Sequence, residues 1–378
     1  MSPIRVGLIG LSSAAGGAYG GTAWAACAHL PYLTKSPHFK VVALLNSSVE
    51  SAKAAIQKYN LPSEIKAYGN PQDLADDPNV DLVVCSVRMD RHFLTVRPSL
   101  IAGKAVYVEW PLDRNFEVAK EMAALAAKHN AKTLVGLQGS YAPIVRKLRS
   151  VVESGEIGRI LSSTVLGSFG NNTDAESENV RYFLDREVGG SPMTIHVGHT
   201  IETVTSVLGQ FKKFNSSSWI SRPTLDIKDY TTGEVVEAAA RNTVPDQIVA
   251  TGITESSNAQ VAIRLYAGKE FPGQPRLDWR IQGEKGWARL TSPMFFLNVG
   301  STETKIEISD NETGNVREVS GEVEADEWDE LPTPAHNIAR LYEAYRQDEW
   351  VPTFDWALKR HETIEGMWKQ FDEDTKQV

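Results

Sequence analysis

Two histidines, His196 and His199, stand three residues apart, and on a helix that spacing puts both imidazoles on one face. The pair fits either a metal site or two hydrogen-bonding rings. No cysteine or acid cluster completes a metal site, so no metal is expected. His199 is then a hydrogen-bonding group in a substrate pocket or a buried structural ring. Tyr141 and Tyr182 carry titratable hydroxyls that either act as acids in such a pocket or pack half-buried.

A second cluster begins at Gly10. The apolar run Ile4–Ile9 leads into Gly10-Leu11-Ser12-Ser13-Ala14-Ala15-Gly16-Gly17-Ala18-Tyr19-Gly20-Gly21, with a helical stretch expected from Thr22. Small residues between a strand and a helix let backbone N–H groups approach a pyrophosphate. The alternative is a plain flexible connector: Ser12 takes the place of the second glycine of G-x-G-x-x-G, and the loop is long. Gly10, Ser12 and Ser13 are the cofactor candidates. At the next strand end, Asn46-Ser47-Ser48 replaces the acid that binds a ribose 2′-hydroxyl, which leans the site toward NADP or toward both NAD and NADP. Ser47 or Ser48 also suits a helix cap. Arg88, Arg91 and His92 lie on a third loop, either solvated or touching phosphate, ribose or an anionic substrate. Glu109, Trp110 and Pro111 end a fourth strand.

The elements that must carry these groups follow from periodicity. Ile4–Ile9, Val41–Leu45, Leu82–Ser86, Ala105–Val108 and Thr133–Val135 are continuous apolar runs, as buried parallel strands require. Val49–Tyr59, Phe93–Ala102 and Phe116–His129 between them show helical spacing. The series predicts an N-terminal Rossmann domain over residues 1–137, a doubly wound parallel sheet. Residues 138–378 predict an α+β domain. Its helices are Ile144–Ser154 and His199–Leu208, and its large, mostly antiparallel sheet comes from Gln247–Thr254, Gln260–Tyr266, Leu277–Gln282, Ala288–Thr291 and Lys305–Ser309. Hairpin turns are expected at Glu284-Lys285-Gly286 and Gly314-Asn315. C-terminal helices are expected over Ala335–Arg346 and Asp355–Phe371.

Composition bounds the partners. Lys and Arg number 39 against 48 Asp and Glu, a net charge of −9, so no electrostatic footprint for direct nucleic-acid binding is present. Cys27 and Cys85 are the two cysteines, too few for a secreted disulfide framework. The run Ile4–Leu11 is too short for a signal-peptide core, and no run approaches a membrane span. A cytoplasmic protein is the expectation.

The order Arg88 to His92, then Gly103-Lys104-Ala105-Val106-Tyr107-Val108-Glu109-Trp110-Pro111, resembles the glucose-fructose oxidoreductase, inositol dehydrogenase and MocA family. The resemblance implies a Glu-Lys-Pro whose lysine assists proton transfer during hydride transfer with a nicotinamide. Trp110 holds that position, and an indole, with one donor N–H and no proton titrating near neutrality, cannot replace an ammonium. Trp110 would then stack on the nicotinamide, wall off the substrate or fill core space. The resemblance also implies a cis bond at Pro111. In the segment from Gly189-Gly190 onward, His199 falls on the family's histidine and Ile195 on its acid.

Val108-Glu109-Trp110, Leu137-Gln138-Gly139, Gly198-His199-Thr200-Ile201 and Thr243-Val244-Pro245-Asp246 are similar to the fungal galactose-regulon repressor branch of the family. Two functions follow. One is an NAD(P)-dependent oxidoreductase for a sugar, polyol or related carbonyl or imine. There His199 orients or protonates the substrate oxygen, His196, Tyr141 or Tyr182 assists, and Trp110 forms a wall. The other is a non-catalytic NAD(P)-binding regulator that covers a transcription activator, with the nucleus as an added compartment. The resemblance also implies that residues 138–378 carry the substrate and oligomer contacts, the latter on the outer face of the large sheet, in a homo-oligomer.

Overall fold

The computed structural model describes residues 2–13, 24–170, 175–301 and 303–376. They form two compact units: Met1–Leu137 with Glu187–Gly190 and Trp328–His361, and Gln138–Arg186 with Ser191–Glu327 and Glu362–Val378.

The first unit is built on six parallel strands: β1 (Ile4–Ile9), β2 (Phe39–Leu45), β3 (Lys66–Tyr68), β4 (Leu82–Cys85), β5 (Ala105–Glu109) and β6 (Thr133–Gly136). Their order is β3-β2-β1-β4-β5-β6, so β1 pairs with β2 on one side and β4 on the other. That is the doubly wound arrangement, whose ligands bind at the carboxyl ends of the strands. Every residue of β4 is buried, as its uninterrupted apolar run demands. The helices are α1 (Leu30–Lys35), α2 (Val49–Lys58), α3 (Pro71–Asp76), α4 (His92–Ile101) and α5 (Phe116–Lys128). Ser48, Asn70 and Asn115 cap α2, α3 and α5 with their side-chain oxygens. Short β3, α1 and α3 escape the periodicity reading because none is long enough to show a period. The helix start expected at Thr22 and the glycines of the first loop beyond Gly10 lie outside the described residues.

The second unit opens with α6 (Pro143–Glu153) and contains α7 (Val197–Leu208), entered through a π-helical turn, Pro192–His196. Ser191 accepts the Thr194 N–H to start that turn, and Gly209 at φ +85° ends α7. The strands are β7 (Ile160–Ser168), β8 (Ala175–Ser177), β9 (Phe211–Trp219), β10 (Thr224–Lys228), β11 (Val235–Arg241), β12 (Gln247–Thr254), β13 (Gln260–Tyr266), β14 (Leu277–Gly283), β15 (Gly286–Ser292), β16 (Lys305–Asp310) and β17 (Val316–Glu318). Eight form one sheet, β17-β16-β15-β14-β7-β13-β12-β9, and β11-β10-β8 form a smaller one. The large sheet is antiparallel except where β7 runs parallel to β13. Leu148 and Val151 of α6 and Ile201 and Val204 of α7 stand at helical spacing on one face of each helix, and they share a core with Val165, Ile263, Ile281 and Leu290 from the sheet. The hairpin turns at 284–286 and 314–315 connect the strand pairs β14–β15 and β16–β17.

The C-terminal part corrects the expected domain limits. The helix α8 (Thr333–Arg346) and the start of α9 (Phe354–Thr375) belong to the first unit, not to a continuous 138–378 domain. The physical reason is aromatic packing: Tyr342 of α8 stacks on Tyr32 of α1 at 5.2 Å and on Tyr107 of β5 at 5.4 Å. Phe354 and Ala357 sit in the same core as β4 and β5.

Candidate functional site: a strand edge and an imidazole cavity

In the first unit, β1 ends at Gly10, whose φ is +94° and whose added Cβ would lie 2.5 Å from Ser86 O. Only glycine fits that turn without strain. The Asn46 side-chain amide donates to Leu11 O at 2.8 Å and Ser51 O at 3.2 Å. Tyr59 Oη donates to Ser12 O at 2.8 Å, and Lys58 Nζ donates to Ser13 O at 3.0 Å. The first loop is therefore fastened to β2 and α2 through its carbonyls. Ser48 caps α2 by accepting the Ser51 N–H at 3.1 Å, and Ser47 is exposed. Of the three polar residues at the end of β2, Asn46 and Ser48 are engaged by the backbone and Ser47 stands at the surface. The tight glycine turn and the neutral strand end fit a dinucleotide.

The end of β5 is held from several sides within this unit. Glu109 Oε1 accepts from Tyr107 Oη at 2.9 Å and lies 2.9 Å from His29 Nε2, whose Nδ1 lies 2.8 Å from Tyr342 Oη. The Trp110–Pro111 peptide is cis. The Trp110 indole is 4% exposed, in the core, with its ring 4.7 Å from that of His361. His92 is buried, neither solvated nor presented at a surface. Its Nδ1 lies 3.1 Å from both Pro111 O and Leu112 O, and its Nε2 lies 3.0 Å from Val87 O. Arg88 makes a two-pronged bond to Asp90 on its own loop at 2.6 and 2.7 Å. Gly189 approaches the backbone of Arg114 so closely that a Cβ would lie 2.3 Å from it, which explains a glycine at that position.

In the second unit, the first turns of α7 and the sheet enclose a small cavity of about 20 Å³, room for about one water, where His196 and His199 meet Thr203, Trp279, Phe295 and Asn298. None of the residues lining it carries a formal charge, histidines aside. Phe169, Phe183, Phe295 and Phe296 surround His196 with ring centroids 4.8–6.3 Å away. Burial among these rings, with His199 adding to it, pushes the His196 pKa down to about 3. Its Nδ1 is buried without a partner among the described residues. The Thr200 and Thr203 hydroxyls donate to His196 O and His199 O, one turn back along the helix. Tyr141 and Tyr182 are not part of this lining: Tyr141 is buried under Arg146, 5.1 Å from its ring, and Tyr182 packs edge-on to Phe183.

The fold thus brings His196 and His199 into one lining, whereas His29 and His361 carry no local pattern that singles them out in the sequence. Gln138 is fully buried, with neither amide atom partnered among the described residues. Its position just beyond β6 was the available signal, because strand carboxyl ends carry ligand sites in this architecture.

Residues 4–137 match the family described as "Oxidoreductase family, NAD-binding Rossmann fold", and residues 143–292 match the Gal80p C-terminal domain. Dehydrogenase aclE of Aspergillus oryzae is 30% identical over 302 residues, 78% of this chain and 78% of that protein. The chain belongs to this NAD-binding oxidoreductase family, with a second unit of the Gal80p type. The galactose/lactose metabolism regulatory protein GAL80 of Saccharomyces cerevisiae is 26% identical over 312 residues, 79% of this chain and 69% of that protein. The crystal structure of a super-repressor mutant of Gal80p from that yeast shares the fold with a TM-score of 0.86, at 24% identity over 98% of this chain and 96% of its own. No helix among the described residues is long and apolar enough to cross a membrane.

Proposed function

We propose that the protein is an oxidoreductase that uses NADP or NAD on a sugar, a polyol or a related carbonyl or imine, with Trp110 where the family has its lysine. The observation that carries this reading is the meeting of His196 and His199 in one uncharged cavity, in a chain whose similarity to a dehydrogenase spans most of its length. When bound, the nicotinamide supplies the hydride chemistry. Gly10, Ser12, Ser13 and Ser47 hold the dinucleotide, and Glu109, Trp110 and Pro111 shape the neighbouring strand end. His199 holds the proton at the substrate oxygen. His196, neutral down to about pH 3, orients the substrate by a hydrogen bond and does not carry that proton.

The test is turnover with NADPH, NADH and their oxidised forms across a panel of sugars, polyols, carbonyls and imines. His199→Gln is expected to lower kcat/KM by about 10²- to 10⁴-fold, the usual worth of a positioned acid–base group. Dinucleotide binding without turnover across the panel overturns the reading.

The Gal80p-type second unit and the missing lysine favour one other reading, a dinucleotide-occupied regulator that binds a transcription-factor partner. The net charge of −9 makes an acidic partner segment dependent on local, largely apolar contacts. Co-purification from the native host decides it. Under the enzymatic reading the protein works in the cytoplasm; the regulatory reading adds the nucleus. In either case a homo-oligomer forms through the outer face of the large sheet, whose strands carry the exposed Leu166, Trp219, Val249 and Trp287; light scattering reads the mass.

A further inference from the structure

His92, in the first turn of α4, lies between the loops that leave the carboxyl ends of two neighbouring strands, β4 and β5. Nε2 faces Val87 O on the first loop at 3.0 Å, and Nδ1 faces Pro111 O and Leu112 O on the second at 3.1 Å. Asp113 adds a tie in the other direction, accepting the Phe93 N–H of α4 at 2.9 Å and the Arg114 N–H at 2.7 Å. From α9, His361 Nε2 accepts the Leu112 N–H at 3.1 Å while its ring rests against Trp110. Burial first, and the neighbouring His92 second, hold His361 unprotonated, so its Nε2 keeps the lone pair this amide needs. Every partner of His92 is a carbonyl oxygen, so its ring ties the two loops together when both nitrogens carry a proton; it and the His361 ring are 1% and 3% exposed. Removing either ring strands buried donors or acceptors.

We propose that His92 and His361 are positioning residues of the dinucleotide edge: they lock the 110–113 turn and the loop after β4 into one preformed lip. The proposal rests on the dinucleotide reading above. Neither ring is a ligand contact. They act by removing the cost of ordering the two loops when the ligand arrives, so that without them only a fraction of molecules holds the competent lip.

The experiment uses the full chain with His92→Ala, His361→Ala and His361→Gln, and reads two quantities: hydrogen exchange at the Leu112 amide and NADPH affinity by calorimetry. His361→Ala is expected to speed Leu112 exchange and, with His92→Ala, to weaken NADPH binding by about tenfold or more, as a loss of preorganisation predicts. His361→Gln, whose Oε1 accepts in place of the ring nitrogen, is expected to restore both. A merely space-filling role for the ring would give no such rescue. Should an alanine variant fail to fold, His92→Gln, which reaches only one loop at a time, takes its place with the same expected loss. Wild-type affinity in the His92 variant, or unchanged Leu112 protection in His361→Ala, overturns the proposal. If the wild-type chain binds neither NADPH nor NADH, the dinucleotide reading fails by itself, and Leu112 exchange alone decides the lock.

Discussion

Replacing His361 with Gln tests the electrostatics of the first unit's core. In the folded chain, burial lowers the His361 pKa from 6.5 to about 3; in the unfolded chain the ring titrates near 6.5. The folded pKa lies below the unfolded one, so the unfolded chain takes up the proton first as the solution is acidified. The stability that the neutral ring contributes is complete above about pH 6.5 and is lost progressively as pH falls toward 3. Between about pH 7.5 and pH 5 the unfolded ring becomes almost fully charged while the folded one stays neutral. The loss is about 2 kcal/mol, a factor of about 30 in the folding equilibrium. Glutamine does not titrate and retains an acceptor for the Leu112 N–H, so its cost is the same at both pH values. Urea unfolding followed by tryptophan fluorescence, at both pH values, gives the difference. The wild-type transition of the first unit is expected to weaken by about 2 kcal/mol more than that of His361→Gln. Equal losses in the two proteins would refute the reasoning and with it the neutral acceptor beside Trp110.

Other consequences follow from single contacts. Gly10→Ala forces a Cβ against Ser86 O at a positive φ and is expected to cost about 1–3 kcal/mol, seen as a lowered melting temperature. Trp110→Lys places an ammonium where the indole is 4% exposed; a loss of about 3 kcal/mol or more in urea unfolding is expected, with no gain in turnover. Ser48→Ala removes the cap of α2 and should cost about 1 kcal/mol in the same assay. Ser47→Asp puts a charge at the exposed end of β2 and is expected to weaken NADPH relative to NADH by about tenfold, read by calorimetry.

The amino-acid order by itself determined the parallel sheet. Strands buried on both faces must be continuously apolar, and Leu82–Cys85 shows this without any partner in view, as does Ile4–Ile9 apart from Arg5 at its half-buried start. It also determined that the two histidines of 196–199 share a face, because helical spacing is local. Tertiary structure decided the rest. Central strand β7, Ile-Leu-Ser-Ser-Thr-Val-Leu-Gly-Ser, shows no clean alternation, and it becomes a strand because β13 and β14 supply hydrogen bonds along both its edges. The tyrosines 141 and 182 were equal candidates for the cavity, and only packing placed them elsewhere. The roles of His92 and His361 depend on backbone atoms 19 and 249 residues away in sequence. A pattern of residue types records what each side chain can donate, accept or bury; which distant carbonyl or amide it meets is settled when the chain closes on itself.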